Sequence, residues 1–125
     1  MIILHKGRDE ILCNGLSHHE FWCKCSNESC TMTLVNEDLI EAFEAIRTAL
    51  GAKIVVTSGY RCQLHNSKQA GHSQTSRHCA GMAIDFANIG KIATMTYDQV
   101  KEMADKAGFN SMYFNKEKNF YHFQI

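Results

Sequence analysis

The segment Ser76-Arg77-His78-Cys79-Ala80-Gly81-Met82-Ala83-Ile84-Asp85, taken with His122 near the chain's end, constrains this sequence more than any other feature. A histidine, an aspartate seven positions on and a distant second histidine form a workable ligand set for zinc. Zinc accepts neutral imidazole nitrogens and carboxylate oxygens at about 2.0–2.2 Å, and a catalytic site leaves a fourth position for water. A fold that uses the trio must bring three distant points of the chain into one cavity. Gly81 and Ala83 are small enough to let the chain turn from the His78 loop into a strand over residues 82–86 that carries Asp85. The bare spacing is also what a half-buried histidine and a loop carboxylate accepting backbone hydrogen bonds would show.

At 125 residues the chain is expected to be one domain, 1–125, burying roughly 65–70% of its unfolded surface in a single core. Basic and acidic residues both number 13, which argues against a nucleic-acid partner, since such binders carry a basic face. No apolar run approaches the roughly 20 residues needed to cross a bilayer, so no membrane role is expected. The first nine residues lack the apolar core of a secretory signal, and synthesis in a cytoplasm is the expectation. Neither an internal repeat nor a linker is visible.

Helical signals are clear in two places. Asn36 can cap a helix opened by Glu37 and Asp38, in which Leu39, Ile40, Phe43, Ile46 and Leu50 recur at helical spacing until Gly51. Thr96 with Gln99 forms a capping box for a second amphipathic helix over residues 97–107, stopped by Gly108. Ser17 with Glu20 opens a short capped turn, which leaves His18 and His19 facing solvent. The β-branched run Ile54-Val55-Val56-Thr57 reads as a buried strand over residues 53–58 that delivers Gly59-Tyr60-Arg61 at its end. Residues 62–76 read as a polar loop with one helical turn near His65. The tail, residues 109–114 and 120–125, reads as a β-hairpin with His122 on the last strand. Helices on one side of a small antiparallel sheet make an α+β domain.

The six cysteines are many for a reducing compartment. Cys23-x-Cys25-x4-Cys30, with Cys13 upstream, lacks the Cys-x2-Cys knuckle of strong zinc sites. Free thiols or a facultative disulfide are the favoured reading, a structural zinc the lesser one. Cys79 adjoins His78, but neighbours on an extended segment point opposite ways, so it reads as packing rather than a nucleophile.

Three ordered motifs, Thr57-Ser58-Gly59-Tyr60-Arg61 with His65-Asn66, Ser76-x-His78-x-x-Gly81-x-Ala83-x-Asp85, and the terminal Tyr121-His122, resemble the zinc D-alanyl-D-alanine carboxypeptidases. Phage-encoded peptidoglycan peptidases and the D-alanyl-D-alanine dipeptidases are relatives, and the hedgehog signalling domain is a structural cousin. The resemblance runs over residues 16–125. It implies the hedgehog/DD-peptidase-like α+β fold and one catalytic zinc ion held by His78, Asp85 and His122. It also implies that Arg61 meets substrate or a developing oxyanion, and that Ser76 binds one end of the substrate. His72, in a loop, is a further candidate to line the cleft. The implied partner is a peptidoglycan stem peptide, and a monomer is expected.

The family's general base is an acidic residue shortly before the last histidine ligand, often three positions earlier. Here that position holds Asn119, and Gln124 stands where many relatives have an aspartate. Glu117 is the hairpin-turn carboxylate left to serve as base; the plain alternative is a solvated turn residue between Lys116 and Lys118. The expected function is hydrolysis of an amide next to a D-amino acid, by a D,D-carboxypeptidase or a cross-link endopeptidase. A phage lysis enzyme, reaching the cell wall after another protein opens the membrane, is the expected setting. Two other readings stay open: a zinc-containing binding domain without turnover, and an interaction module built on Cys13, Cys23, Cys25 and Cys30.

Overall fold

The computed structural model describes residues 1–69 and 76–125. Its centre is a four-stranded antiparallel sheet in the order β5-β6-β8-β7, made of β5 (Val56–Ser58), β6 (Ala83–Ala87), β7 (Ser111–Asn115) and β8 (Phe120–Gln124). Two smaller antiparallel pairs lie at the N-terminal end. There β1 (Ile2–His5) pairs with β4 (Met32–Val35), and β2 (Ile11–Cys13) with β3 (Leu16–Ser17). Among the described residues no helix is long and apolar enough to cross a membrane.

The two strong helical signals fold as read. In α2 (Glu37–Leu50) the Asn36 side chain accepts from the Asp38 amide, and Gly51 ends the helix in the left-handed region. In α4 (Tyr97–Ala107) Thr96 and Gln99 close a reciprocal capping box. The α2 stripe, Leu39, Ala42, Phe43, Ile46 and Leu50, is buried. It meets one face of the large sheet, where Phe43 packs edge-on against Phe86, Phe86 against Phe123, and Phe123 against Phe109. These buried rings anchor one core that runs from Leu16 to Ile125. Burying a single such side chain stabilises the fold by about 1.5–3 kcal/mol.

Strands alternate their faces, so the residues between the core rings point the other way. The strand that the sequence predicts over 53–58 is shorter, because only Val56–Ser58 pairs with β6. The N-terminal strands were not expected: β1 and β4 pair segments about 30 residues apart, and β2 and β3 are too short to leave a sequence pattern. His18 is corrected too. It opens α1 (His18–Phe21) but is buried, with Nδ1 against the Arg8 carbonyl at 2.7 Å, while its neighbour His19 stays exposed and meets Asp9.

Candidate metal centre

The β6–β8 register sets Asp85 directly opposite His122, and β7 adds Tyr113 opposite His122 on its other side. Ser58 of β5 pairs with Asp85 on its other side. A row of polar side chains thus crosses the sheet on the face away from the aromatic core. His78 arrives from outside the sheet, on a 310 turn, Arg77–Ala80, that Ser76 caps by accepting the His78 amide. Gly81 closes that turn at φ +70 and hands the chain to β6.

The three residues that the sequence singled out converge. His78 Nε2 lies 3.2 Å from Asp85 Oδ1 and 3.2 Å from His122 Nδ1, and His122 Nδ1 is 2.8 Å from Asp85 Oδ1. All three residues are buried. The far nitrogen of each ring is already committed. His78 Nδ1 donates to the Gly59 carbonyl at 2.6 Å, and His122 Nε2 donates to Gln124 Oε1 at 2.9 Å. In a neutral ring, donation by one nitrogen leaves a lone pair on the other. With both rings neutral, two lone pairs and a carboxylate oxygen therefore aim at one point, an arrangement that repels unless a proton or a metal cation sits among them.

Zinc bonds of about 2.0–2.2 Å at tetrahedral angles set neighbouring donors roughly 3.4 Å apart, so a small outward movement seats the ion. The donor set fits zinc. Burial alone would raise the Asp85 carboxyl's pKa, but when the two rings are protonated, hydrogen bonds from His122 and His78 and then their charge outweigh it and hold the group below the usual carboxylate range. Asp85 is thus anionic at neutral pH, the form a metal requires. Gly59 and Gln124 are the partners that orient the two rings, as ligating histidines need.

Arg61 follows β5 and is tied to the same turn, its amide donating to the His78 carbonyl at 3.2 Å and its guanidinium reaching Ser76 Oγ at 3.5 Å. Its Nε is buried with no partner among the described residues. Its charge is felt at Tyr113 and at His65, whose imidazole burial and then Arg61 hold below the usual histidine range. Arg61 and Ser76 therefore flank the trio. His72 lies outside the described residues.

Glu117 sits exposed in the turn between β7 and β8, beyond the last paired residues, with no hydrogen bond or ion pair to the trio among the described residues. Asn119 is held away as well. It occupies a left-handed turn position at φ 56, and its side-chain oxygen accepts from Asn88 Nδ2 at 3.0 Å.

Tyr113 is the residue that sequence reasoning missed. Its ring stacks on His122 at 4.7 Å and 18°. Burial, then the Asp85 charge, pushes its phenol above the ordinary tyrosine range, so it stays protonated and can donate. Its place in a terminal hairpin opposite His122 was the signal that could have found it.

The cysteines regroup. Cys13 stands apart, its thiol turned to the Ile40 carbonyl and pushed up to about 11 by burial. Cys62 takes its place beside Cys23, Cys25 and Cys30. Cys79 is a half-buried free thiol, as packing would have it.

No curated protein and no solved structure matches the chain. A family model described as Peptidase M15 matches residues 14–124, a span that holds His78, Asp85, His122, Arg61 and Ser76. With that match laid over a buried two-histidine, one-aspartate centre, the chain belongs to the peptidase M15 family.

Proposed function

We propose that this protein hydrolyses an amide bond next to a D-amino acid in peptidoglycan stem peptides or cross-links. Family membership makes it a metallopeptidase, and the M15 peptidases are zinc-dependent. The bond and the substrate are the further step. The observation that carries it is the buried convergence of His78, Asp85 and His122, with the Arg61 guanidinium held on Ser76 of the turn that bears His78. When bound there, zinc supplies a Lewis acid that polarises a carbonyl and lowers the pKa of a water ligand toward about 7.

The chain's own residues do the rest. Gly59 and Gln124 hold the two imidazoles in register. Arg61 offers a planar, permanently charged fork to a substrate carboxylate or to the oxygen on which negative charge develops. Ser76 supports that fork and caps the turn bearing His78. Tyr113 shields one face of His122 and carries a proton that can be donated at the rim of the site. Glu117 can act as general base only if the turn that carries it folds toward Asp85 when substrate binds.

The Asn119–Asn88 pairing favours a second reading, a zinc-containing domain that binds stem peptides without efficient turnover. Incubation of the zinc-loaded protein with purified muropeptides, followed by mass spectrometry, separates the two. Loss of a terminal alanine or splitting of a cross-link, abolished in His78→Ala, is the expected result. Bound zinc with no product after long incubation would leave the binding reading standing.

A further inference from the structure

Away from the His78 centre, the chain gathers four thiols from two distant segments. Cys23, Cys25 and Cys30 lie on the irregular stretch between α1 and β4, and Cys62 follows Arg61 directly. Their four sulfurs lie within 4.8 Å of one another. Cys62 Sγ is 3.7 Å from Cys23 Sγ and 3.9 Å from Cys25 Sγ, and all four cysteines are free thiols. Zinc–sulfur bonds of about 2.3 Å in a tetrahedron require sulfurs about 3.8 Å apart. A disulfide needs them at about 2.05 Å.

Second contacts suit thiolates. The Cys62 amide donates to Cys23 Sγ at 3.4 Å, the His65 amide donates to Cys62 Sγ at 3.4 Å, and Lys6 Nζ lies 3.9 Å from Cys25 Sγ. Amide donors and a nearby cation stabilise the negative charge that four thiolates bring to a dication. Soft sulfur donors in tetrahedral array select zinc over the oxygen-seeking cations.

We infer that Cys23, Cys25, Cys30 and Cys62 form a second, structural zinc site that fastens the 23–30 loop to the segment carrying Arg61. Four protein ligands leave no position for water, so the site is closed and does no chemistry. Its role is mechanical. The loop between α1 and β4 has little regular structure, and Cys62 both caps α3 (Gln63–Ser67) and adjoins the arginine that flanks the first centre. A metal there fixes where Arg61 emerges from β5. This inference stands apart from the peptidase reading, because the two centres share no ligand.

The test is metal content and spectroscopy on the full chain, purified under reducing conditions with zinc. Two zinc ions per chain are expected in the wild type by native mass spectrometry, one in His78→Ala, and one in Cys25→Ser or Cys30→Ser. Cobalt substitution gives a readout independent of activity and of the cysteine variants' folding. The His78→Ala protein should keep intense thiolate-to-cobalt charge-transfer bands in the near ultraviolet, with tetrahedral bands in the visible. A wild-type count of one zinc with no thiolate bands would overturn the inference. So would a mass lower by two hydrogens that maps to a Cys23–Cys62 disulfide in the zinc-treated protein. A peptidase failure with both metals bound would leave it intact.

Discussion

At the scale of single residues, the centre depends on which ring nitrogen carries a proton. His78 surrenders that choice to a backbone carbonyl, whereas His122 surrenders it to a side chain that mutation can change. Gln124→Leu keeps the strand and the bulk but removes the acceptor. Loss of such an orienting partner typically weakens metal binding about 10- to 100-fold. Competition with a chromophoric chelator should show that loss at the His78 centre, with circular dichroism unchanged; undiminished affinity would mean that Gln124 orients nothing.

The same scale separates the two candidates for moving protons. Glu117→Gln removes the only turn carboxylate, and Tyr113→Phe removes only a hydroxyl from a ring whose stacking survives. General acid–base groups contribute about 10²–10⁴-fold. Because Glu117 is exposed beyond the paired strands while Tyr113 lies on His122, Tyr113→Phe should lower kcat by at least about tenfold with zinc retained. Near-normal turnover in Glu117→Gln would exclude it as base, and a collapse of turnover there would show that the hairpin turn rearranges over the site. The convergence of His78, Asp85 and His122 was legible because histidine and aspartate at motif spacing announce their chemistry. Gly59 was not, since a carbonyl acceptor has no side-chain signature, and Gln124 was read only as a missing acid.

At the scale of elements, the caps and stripes of α2 and α4 were legible because each end carries its own signal. The pairs β1–β4 and β2–β3 were not, since strands of two to four residues give alternation no room to show. His18 was misjudged for a related reason: a capped turn suggests exposure, but the residue is buried against the Arg8–Glu10 segment, bonding both carbonyls. The 310 turn bearing His78 is the element on which the site is most exposed to mutation. Gly81 holds φ +70, its carbonyl accepts the Asn36 amide at 2.9 Å, and a Cβ there would collide with the Leu34 carbonyl oxygen. A non-glycine residue in the left-handed region costs about 1–2 kcal/mol, and a clash with backbone cannot be relieved by a rotamer change. Gly81→Ala should therefore destabilise the domain by roughly 3 kcal/mol or more in urea unfolding, and should release metal at the His78 centre because the turn must shift. A change below about 1 kcal/mol would mean that β4 yields more easily than its pairing suggests.

At the scale of the whole molecule, the α+β architecture followed from adding the elements, with α2 and α4 on the core face and the polar row on the other. The gathering of thiols did not, because Cys62 lies 32 positions from Cys30 and only the return of the chain beside Phe21 joins them. The Tyr60 amide bonds the Phe21 carbonyl at 2.9 Å, and a Cβ on Gly59 would press into the Phe21 ring. The first centre spans the molecule in a comparable way, joining the 310 turn, β6 and β8. A metal that binds the folded chain alone stabilises it by about 2.7 kcal/mol at a hundredfold excess over Kd. For a domain of this size that corresponds to a thermal midpoint on the order of 10 °C higher. Strong chelation should lower the midpoint by that order, and zinc should restore it. In His122→Ala the fall on chelation should be smaller, because one of the two proposed metal cross-links is already gone. An equal fall in both proteins would mean that the buried trio contributes nothing to holding β6, β8 and the turn together.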